Sequence, residues 1–230
     1  MTLAFAELEQ LSYENATRLS RQTAQQWKQE GKQVIGWVCT YAPEELISAA
    51  GMLPVRIMGS PEPHTIGDSY LQANMCPFVR SCLAQGLKGS YAFLDGILAS
   101  HTCDTMCKLF DIWRLYVKPG FSHQIDHPHK LSGAATTYHL KEVQRLKSAL
   151  EGFTGREIDD VALQRAIDVT NENRRLLKQI YELRKSDPPA LSGVEAYNLV
   201  RASMILPSVD YVRIAGTSWS GMEDKGRFLW

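Results

Sequence analysis

Hydrophobic positions change their period several times along this chain, and each change marks an element. Between residues 5 and 30, Phe5, Leu8, Leu11, Tyr13, Leu19 and Trp27 recur near helical spacing with charge between them, which predicts an amphipathic helix closed by Gly31. QVIGWVCT (33–40) is β-rich and mostly apolar, and reads as a first strand ending at Cys39. A helix start follows at 41–45 (YAPEE), with Pro43 at the first position and Glu44 and Glu45 complementing the helix dipole. That helix should run to Ala50 and stop at Gly51. LPVRIM (53–58) reads as a second short strand, and GSPEPHTIGD (59–68) as an exposed turn-rich loop. NMCPFVR (74–80) opens another helix, with Cys76 at or near its cap and Pro77 first, continuing past Cys82 to about Gly86.

The stretch that organises the rest is FLDGILASHTCDTMCKLFDIW, residues 93–113. Its apolar run 93–99 reads as a buried strand and breaks at Ser100-His101-Thr102-Cys103-Asp104. Met106, Leu109, Phe110 and Trp113 then fall on one face of a predicted helix. This is a strand–turn–helix unit with a cysteine in the turn. In open parallel α/β sheets such turns, at the carboxyl ends of strands, are where ligands bind. A thiol at the first turn of a helix also feels the positive end of the helix dipole, which favours thiolate.

After Trp113 the character changes. KPGFSHQIDHPHK (118–130) reads as a loop with a short strand around Gln124 and Ile125. Helical patterns follow over 135–150, 158–184 and 194–206, the middle one long, charged, and broken by Asp187-Pro188-Pro189. VDYVRIAGTSWSGMEDKGRFLW (209–230) shows no sustained period and reads as an atypical tail. The expected organisation is a helical segment over 1–30, an α/β domain over 31–132, a helical segment over 133–206 and the tail over 207–230. The fold class is α/β: a doubly wound parallel sheet, Rossmann- or flavodoxin-like, with a helix before it and helices after it.

A chain of 230 residues can bury a real core. Lys+Arg and Asp+Glu are both 25, so the net charge of zero gives no electrostatic grip on nucleic acid or anionic lipid. The N-terminal stretch lacks a long apolar core, so neither a signal peptide nor a membrane span is expected, and the chain reads as cytoplasmic. In that setting five cysteines are thiols or metal ligands rather than disulfides. The chain has no Walker-type glycine-rich loop, so ATP hydrolysis is not expected of it.

Cys39, Cys76 and Cys103 each sit where a strand or loop hands over to a helix, and their convergence on one sheet edge would make a metal-cluster site. The plainer reading, buried structural cysteines, competes at each position. The helix-start placement and the polar neighbours His101, Asp104 and Arg80 favour function for Cys76 and Cys103. Cys82 and Cys107, inside their helices, read as packing residues, and Cys39 is intermediate. The run His123 to His129 invites a zinc reading but fits no standard tetrahedral spacing, so a solvated loop is the better reading. Glu44 and His101 are candidate catalytic residues of the pocket.

VCTYAPEELI (38–47) followed by AAGM (49–52), CPFVRS (76–81) and HTCD (101–104) together resemble the 2-hydroxyacyl-CoA dehydratase / benzoyl-CoA reductase subunit family. The resemblance runs in order from about residue 30 to 206 and fades near Pro207. It implies paired homologous subunits of doubly wound type, a [4Fe-4S] cluster held by cysteines, and a separate ATP-dependent activator protein that delivers low-potential single electrons. It also implies an acyl-CoA substrate, undergoing either 2-hydroxyacyl-CoA dehydration or aromatic acyl-CoA reduction. Cys76 and Cys103 match two cluster ligands of the family. A further ligand would come from a second α/β domain beyond the matched stretch, so either Cys39 or Cys107 supplies the third thiolate or the chain is a truncated form with an incomplete cluster. The alternatives are a non-catalytic partner subunit without a complete cluster and, from another class, a zinc-stabilised binding module.

Overall fold

The computed structural model describes residues 13–223, and the chain divides into two compact units. One comprises residues 24–163, and the other combines residues up to 23 with those from 164 onward. The expected helical residues 5–12 and the end of the tail, 224–230, lie outside the described residues.

The 24–163 unit is built on four strands: β1 (Val34–Val38), β2 (Leu53–Arg56), β3 (Gly96–His101) and β4 (Phe121–Asp126). They form one sheet in the order β2-β1-β3-β4, and every neighbouring pair is parallel. Helix α1 (Tyr13–Gln29) precedes the sheet, and α2 (Glu44–Ala49) joins β1 to β2. A short α3 (Thr65–Asp68) and α4 (Pro77–Leu87) lie between β2 and β3. Between β3 and β4 come α5 (Asp104–Ile112) and a wide π-helical turn, Trp113–Val117. Helix α6 (Gly133–Thr154) follows β4.

Strand residues alternate between two buried faces. Ile35, Trp37, Leu98, Phe121 and Ile125 pack with Leu46 and Ile47 of α2 and Leu146 and Leu150 of α6. Val38, Ile97 and Ala99 pack with Val79, Cys82 and Leu83 of α4, Leu109 and Phe110 of α5, and Trp113. Both faces are therefore covered, which is why β1 and β3 read as unbroken apolar runs rather than as alternating ones. The order makes this the flavodoxin type of doubly wound sheet. From β1 the chain steps outward to β2, then returns past β1 to β3, so the switch point lies between the carboxyl ends of β1 and β3.

Several predicted boundaries move. β3 begins at Gly96 and includes Ser100 and His101, which the sequence pattern places in the turn. The parallel ladder with β4, from Gly96↔Phe121 to His101↔Asp126, carries the strand through these polar residues. The short strand predicted around Gln124 and Ile125 within the loop 118–130 extends to a full strand, β4, with His123 on it, because the paired edge of β3 supplies backbone partners that composition does not reveal. β1 stops at Val38 and β2 at Arg56. Pro43 caps α2 instead of opening it, and the predicted loop 59–68 holds α3, whose Gly67 is buried.

The second unit is helical: α7 (Asp160–Glu182), which enters it at Gln164, α8 (Gly193–Ile205), α9 (Ser208–Glu223) and the first part of α1. Ser192 and Glu195 form a reciprocal capping box at the start of α8. Over residues 209–223, the reading of a stretch without period is corrected: they lie in a helix, α9. Tyr211, Ile214 and Ala215 of α9 are buried with Leu176, Ile180, Leu199 and Ala202 in one core.

Candidate functional site

Parallel strands deliver all their carboxyl ends to one edge, and the candidate residues collect there. β1 ends at Val38, and Cys39 leaves it with φ at 74°, in the left-handed region that a non-glycine residue rarely adopts. Such a conformation costs roughly 1–3 kcal/mol and persists only where the surroundings enforce it. Across the switch point, Cys39 Sγ lies 3.2 Å from Thr102 Oγ1, just beyond the end of β3. The thiol and the hydroxyl thus bridge the two diverging strands.

Cys76 and Cys103 occupy equivalent places, as the N-cap residues of α4 and α5, and neither side chain caps its own helix. Pro77 fills the first position of α4, as its sequence predicts. Both thiols are exposed. Thr105 Oγ1 donates to Met75 Sδ at 3.4 Å, which ties the starts of the two helices together and brings Cys76 and Cys103 to the same edge. Arg80 serves this arrangement from behind: its Nε donates to Asp68 at 2.8 Å and an Nη to the Ala73 carbonyl at 3.1 Å.

Of the other two cysteines, Cys82 of α4 packs in the core, and Cys107 is half-buried on α5. Cys82 is fully buried, and burial pushes its thiol up to about 12. Burial also raises the Cys107 thiol, opposed by a hydrogen bond with the Gln124 side chain. Among the described residues, no three Cys, His, Asp or Glu side chains stand together as a metal-binding group. The donor set therefore fits a cluster only in part: two exposed thiols at neighbouring helix starts, with Cys39 half-buried and engaged by Thr102.

His101 closes β3 and is held by Asp126 at the end of β4, with Nδ1 3.0 Å from the carboxylate. The Tyr138 hydroxyl of α6 donates to the same carboxylate at 2.6 Å, and the His127 backbone N–H donates at 2.9 Å. The Tyr138 bond is the main cause holding the Asp126 carboxyl below the ordinary range, with burial opposing it. Burial pushes the His123 and His127 imidazoles down, and His139, its ring 5.1 Å away, adds to the effect on His127. Both rings therefore favour the neutral form; His123 and His127 are half-buried rather than solvated, and His129 is exposed.

Glu44 opens α2 on the same edge, within the electrostatic reach of Arg56 at the end of β2. Sequence reasoning missed Arg56, Asp126 and Tyr138. A lone arginine ending an apolar strand was the available signal for the first, and the aspartate inside the histidine run for the second. Nothing local marks Tyr138, because helix packing alone carries it to the edge.

A sequence model described as 2-hydroxyglutaryl-CoA dehydratase, D-component, matches residues 39–227. The match passes Pro207 and takes in α9, so the resemblance does not fade where the sequence pattern placed its end. A benzoyl-CoA reductase subunit of Thauera aromatica is 35% identical over 189 residues, covering 80% of this chain and 49% of the relative. The (R)-phenyllactyl-CoA dehydratase beta subunit of Clostridium sporogenes is 25% identical over 185 residues, with 80% and 50% covered. The beta subunit of (R)-2-hydroxyglutaryl-CoA dehydratase from Acidaminococcus fermentans is 26% identical over 188 residues, again with 80% and 50% covered. The chain thus spans about half the length of the curated relatives it matches. On a match covering most of its residues, with the exposed cysteines of its CPFVRS and HTCD motifs at the carboxyl edge of the sheet, the chain belongs to the 2-hydroxyglutaryl-CoA dehydratase D-component family.

Proposed function

We propose that this chain is an iron–sulfur subunit of an acyl-CoA dehydratase or reductase. The observation that carries the reading is the placement of Cys76 and Cys103, two exposed thiols at adjoining helix starts on the ligand-binding edge of a family member's sheet. Bound there, a [4Fe-4S] cluster would supply single electrons at a potential set by charge, burial and hydrogen bonds to its sulfurs. Helix N-termini facing an anionic cluster favour it electrostatically. Cys76 and Cys103 are the proposed ligands, and Cys39 is the candidate third. His101 and Glu44 are proposed to line the pocket for the acyl thioester. The relatives' names, a reductase subunit and a dehydratase beta subunit, support a partner subunit, proposed here to be homologous, and a separate ATP-dependent activator would deliver the electrons. Five free thiols suit a reducing compartment such as the cytoplasm, and no described helix is long and apolar enough to cross a membrane.

A second reading has its own support. The described residues assemble no three-donor group, which favours a partner protein whose cluster is incomplete on this chain alone. Iron and acid-labile sulfide on protein purified without oxygen, alone and co-expressed with a homologous subunit, separate the two. About four irons and four sulfides per chain, lost on Cys103→Ala, are expected for the cluster-bearing form. Absence of iron from both preparations would leave only the second reading.

A further inference from the structure

We infer that Arg56 is an oxyanion-reading residue of this edge, taking a carboxylate or phosphate oxygen of the bound ligand. Arg56 is the last residue of β2, so the parallel sheet delivers it to the same edge as Cys39 and His101. Its register partner is Trp37, and the guanidinium carbon lies 4.8 Å from the indole ring centroid. An arginine stacked on a buried ring has its fork fixed in one plane, which is the preorganisation that bidentate recognition of an oxyanion uses. Trp37 is itself only 7% exposed, so the platform is rigid.

The guanidinium is left without an acceptor where one is needed. Its Nε–H is buried and has no hydrogen-bond partner among the described residues. A buried donor without an acceptor is a net cost to the fold, and a charged one more so. Nor does any described carboxylate stand within ion-pairing distance, although other arginines of the chain, such as Arg80 and Arg145, each have one. Burial works against the charge, and the groups in its field that favour it are, largest first, Cys39, Glu44 and Cys82. Of the two thiols nearby, Cys82 stays protonated. A half-buried cation over an aromatic ring, its Nε–H short of an acceptor and placed at the edge where parallel sheets bind ligands, is matched by a ligand bearing an anionic oxygen.

That the ligand is a CoA thioester rests on the proposed function; that Arg56 takes an oxyanion does not. Two sources carry the same chemistry, the phosphates of the CoA moiety and a carboxylate on the acyl portion. Isothermal titration of the full chain, alone and with its co-purified homologous subunit, would use coenzyme A, inorganic phosphate and glutarate as probes. Arg56→Met is expected to weaken the responding probe by about tenfold or more, and Arg56→Lys, which keeps charge but loses the fork, by less. Weakening of coenzyme A and phosphate together assigns the phosphate source, and weakening of glutarate assigns the carboxylate. Unchanged affinity in both variants, or no binding of any probe by the unaltered chain, overturns the inference. Iron content is read separately, so a chain that binds glutarate but no iron would sink the cluster reading and leave Arg56 standing. If Arg56→Met fails to fold, as judged by near-UV circular dichroism, Arg56→Lys alone carries the test.

Discussion

Asp126 accepts two hydrogen bonds at the end of β4, with His101 in ion-pairing distance, and the stronger bond comes from the helix that follows. Tyr138 Oη lies 2.6 Å from one carboxylate oxygen, while His101 Nδ1 and the His127 N–H share the other. Because the Tyr138 bond is the chief cause of the lowered Asp126 value, the pair links folding to pH with a definite sign. A carboxyl whose folded value is depressed adds stability that is complete above its unfolded value, about 3.9, and disappears as pH falls through the folded value. Tyr138→Phe removes that bond and moves the carboxyl back toward the ordinary range. Urea midpoints measured from pH 7 downward should therefore show a constant gap between the unaltered chain and Tyr138→Phe to about pH 5, narrowing below about pH 4. A gap of the same size at pH 3 would show that the bond does not discriminate the charged carboxylate. The effect is modest, since both side chains are partly open to water.

At the level of elements, the packing of α4 on the turn after α5 shows how a small residue sets a distance. A methyl group added at Gly86 would meet Trp113 Cζ3 at 2.6 Å and Cη2 at 2.7 Å, and Trp113 is a fully buried ring with no room to swing away. In a solvated helix, Gly→Ala gains about 1 kcal/mol of helix propensity. Overpacking a rigid core costs about 1–3 kcal/mol, so Gly86→Ala should be destabilising on balance, read as a lower urea midpoint. The contact matters to the edge because α4 and α5 are the helices whose first residues are preceded by Cys76 and Cys103. Much of this architecture was legible in the sequence: the strand–turn–helix at 93–113, Pro77 opening α4, and the Met106–Trp113 face. These are local signals of period and capping. β4 was legible only as a short strand around Gln124 and Ile125, because a strand with one buried face in a Pro- and His-rich stretch is stabilised by its pairing with β3 rather than by its own residues. The site followed the same division. Cys76 and Cys103 are marked by their helix starts, whereas the Asp126–Tyr138 bond and the Trp37–Arg56 stack are products of topology.

Across the whole chain, the first described residues and the last belong to one unit, and α9 is what completes its core. Leu19 of α1 packs against the cluster formed by α7, α8 and α9, and Thr23 Oγ1 donates to Asp210 of α9 at 3.3 Å. Tyr211 stands at the centre of this helical core with no exposed surface, and its hydroxyl has no hydrogen-bond partner among the described residues. Burial alone raises that phenol, so it stays neutral and contributes as an aromatic ring burdened by an unsatisfied polar atom. The two parts of the side chain should therefore separate on substitution. Tyr211→Ala removes the ring and leaves a cavity, which costs roughly 3–5 kcal/mol for a buried aromatic. Tyr211→Phe keeps the ring and removes the orphaned hydroxyl, whose burial without a partner costs on the order of 1–3 kcal/mol, so it should be neutral or stabilising. Native-state amide exchange at Leu176, Ile180 and Leu199, which share this core, would report both: faster exchange in the first variant, equal or slower in the second. Loss of protection in Tyr211→Phe would mean that the hydroxyl has a partner, and unchanged protection in Tyr211→Ala would mean that α9 is not part of the core that holds the unit together.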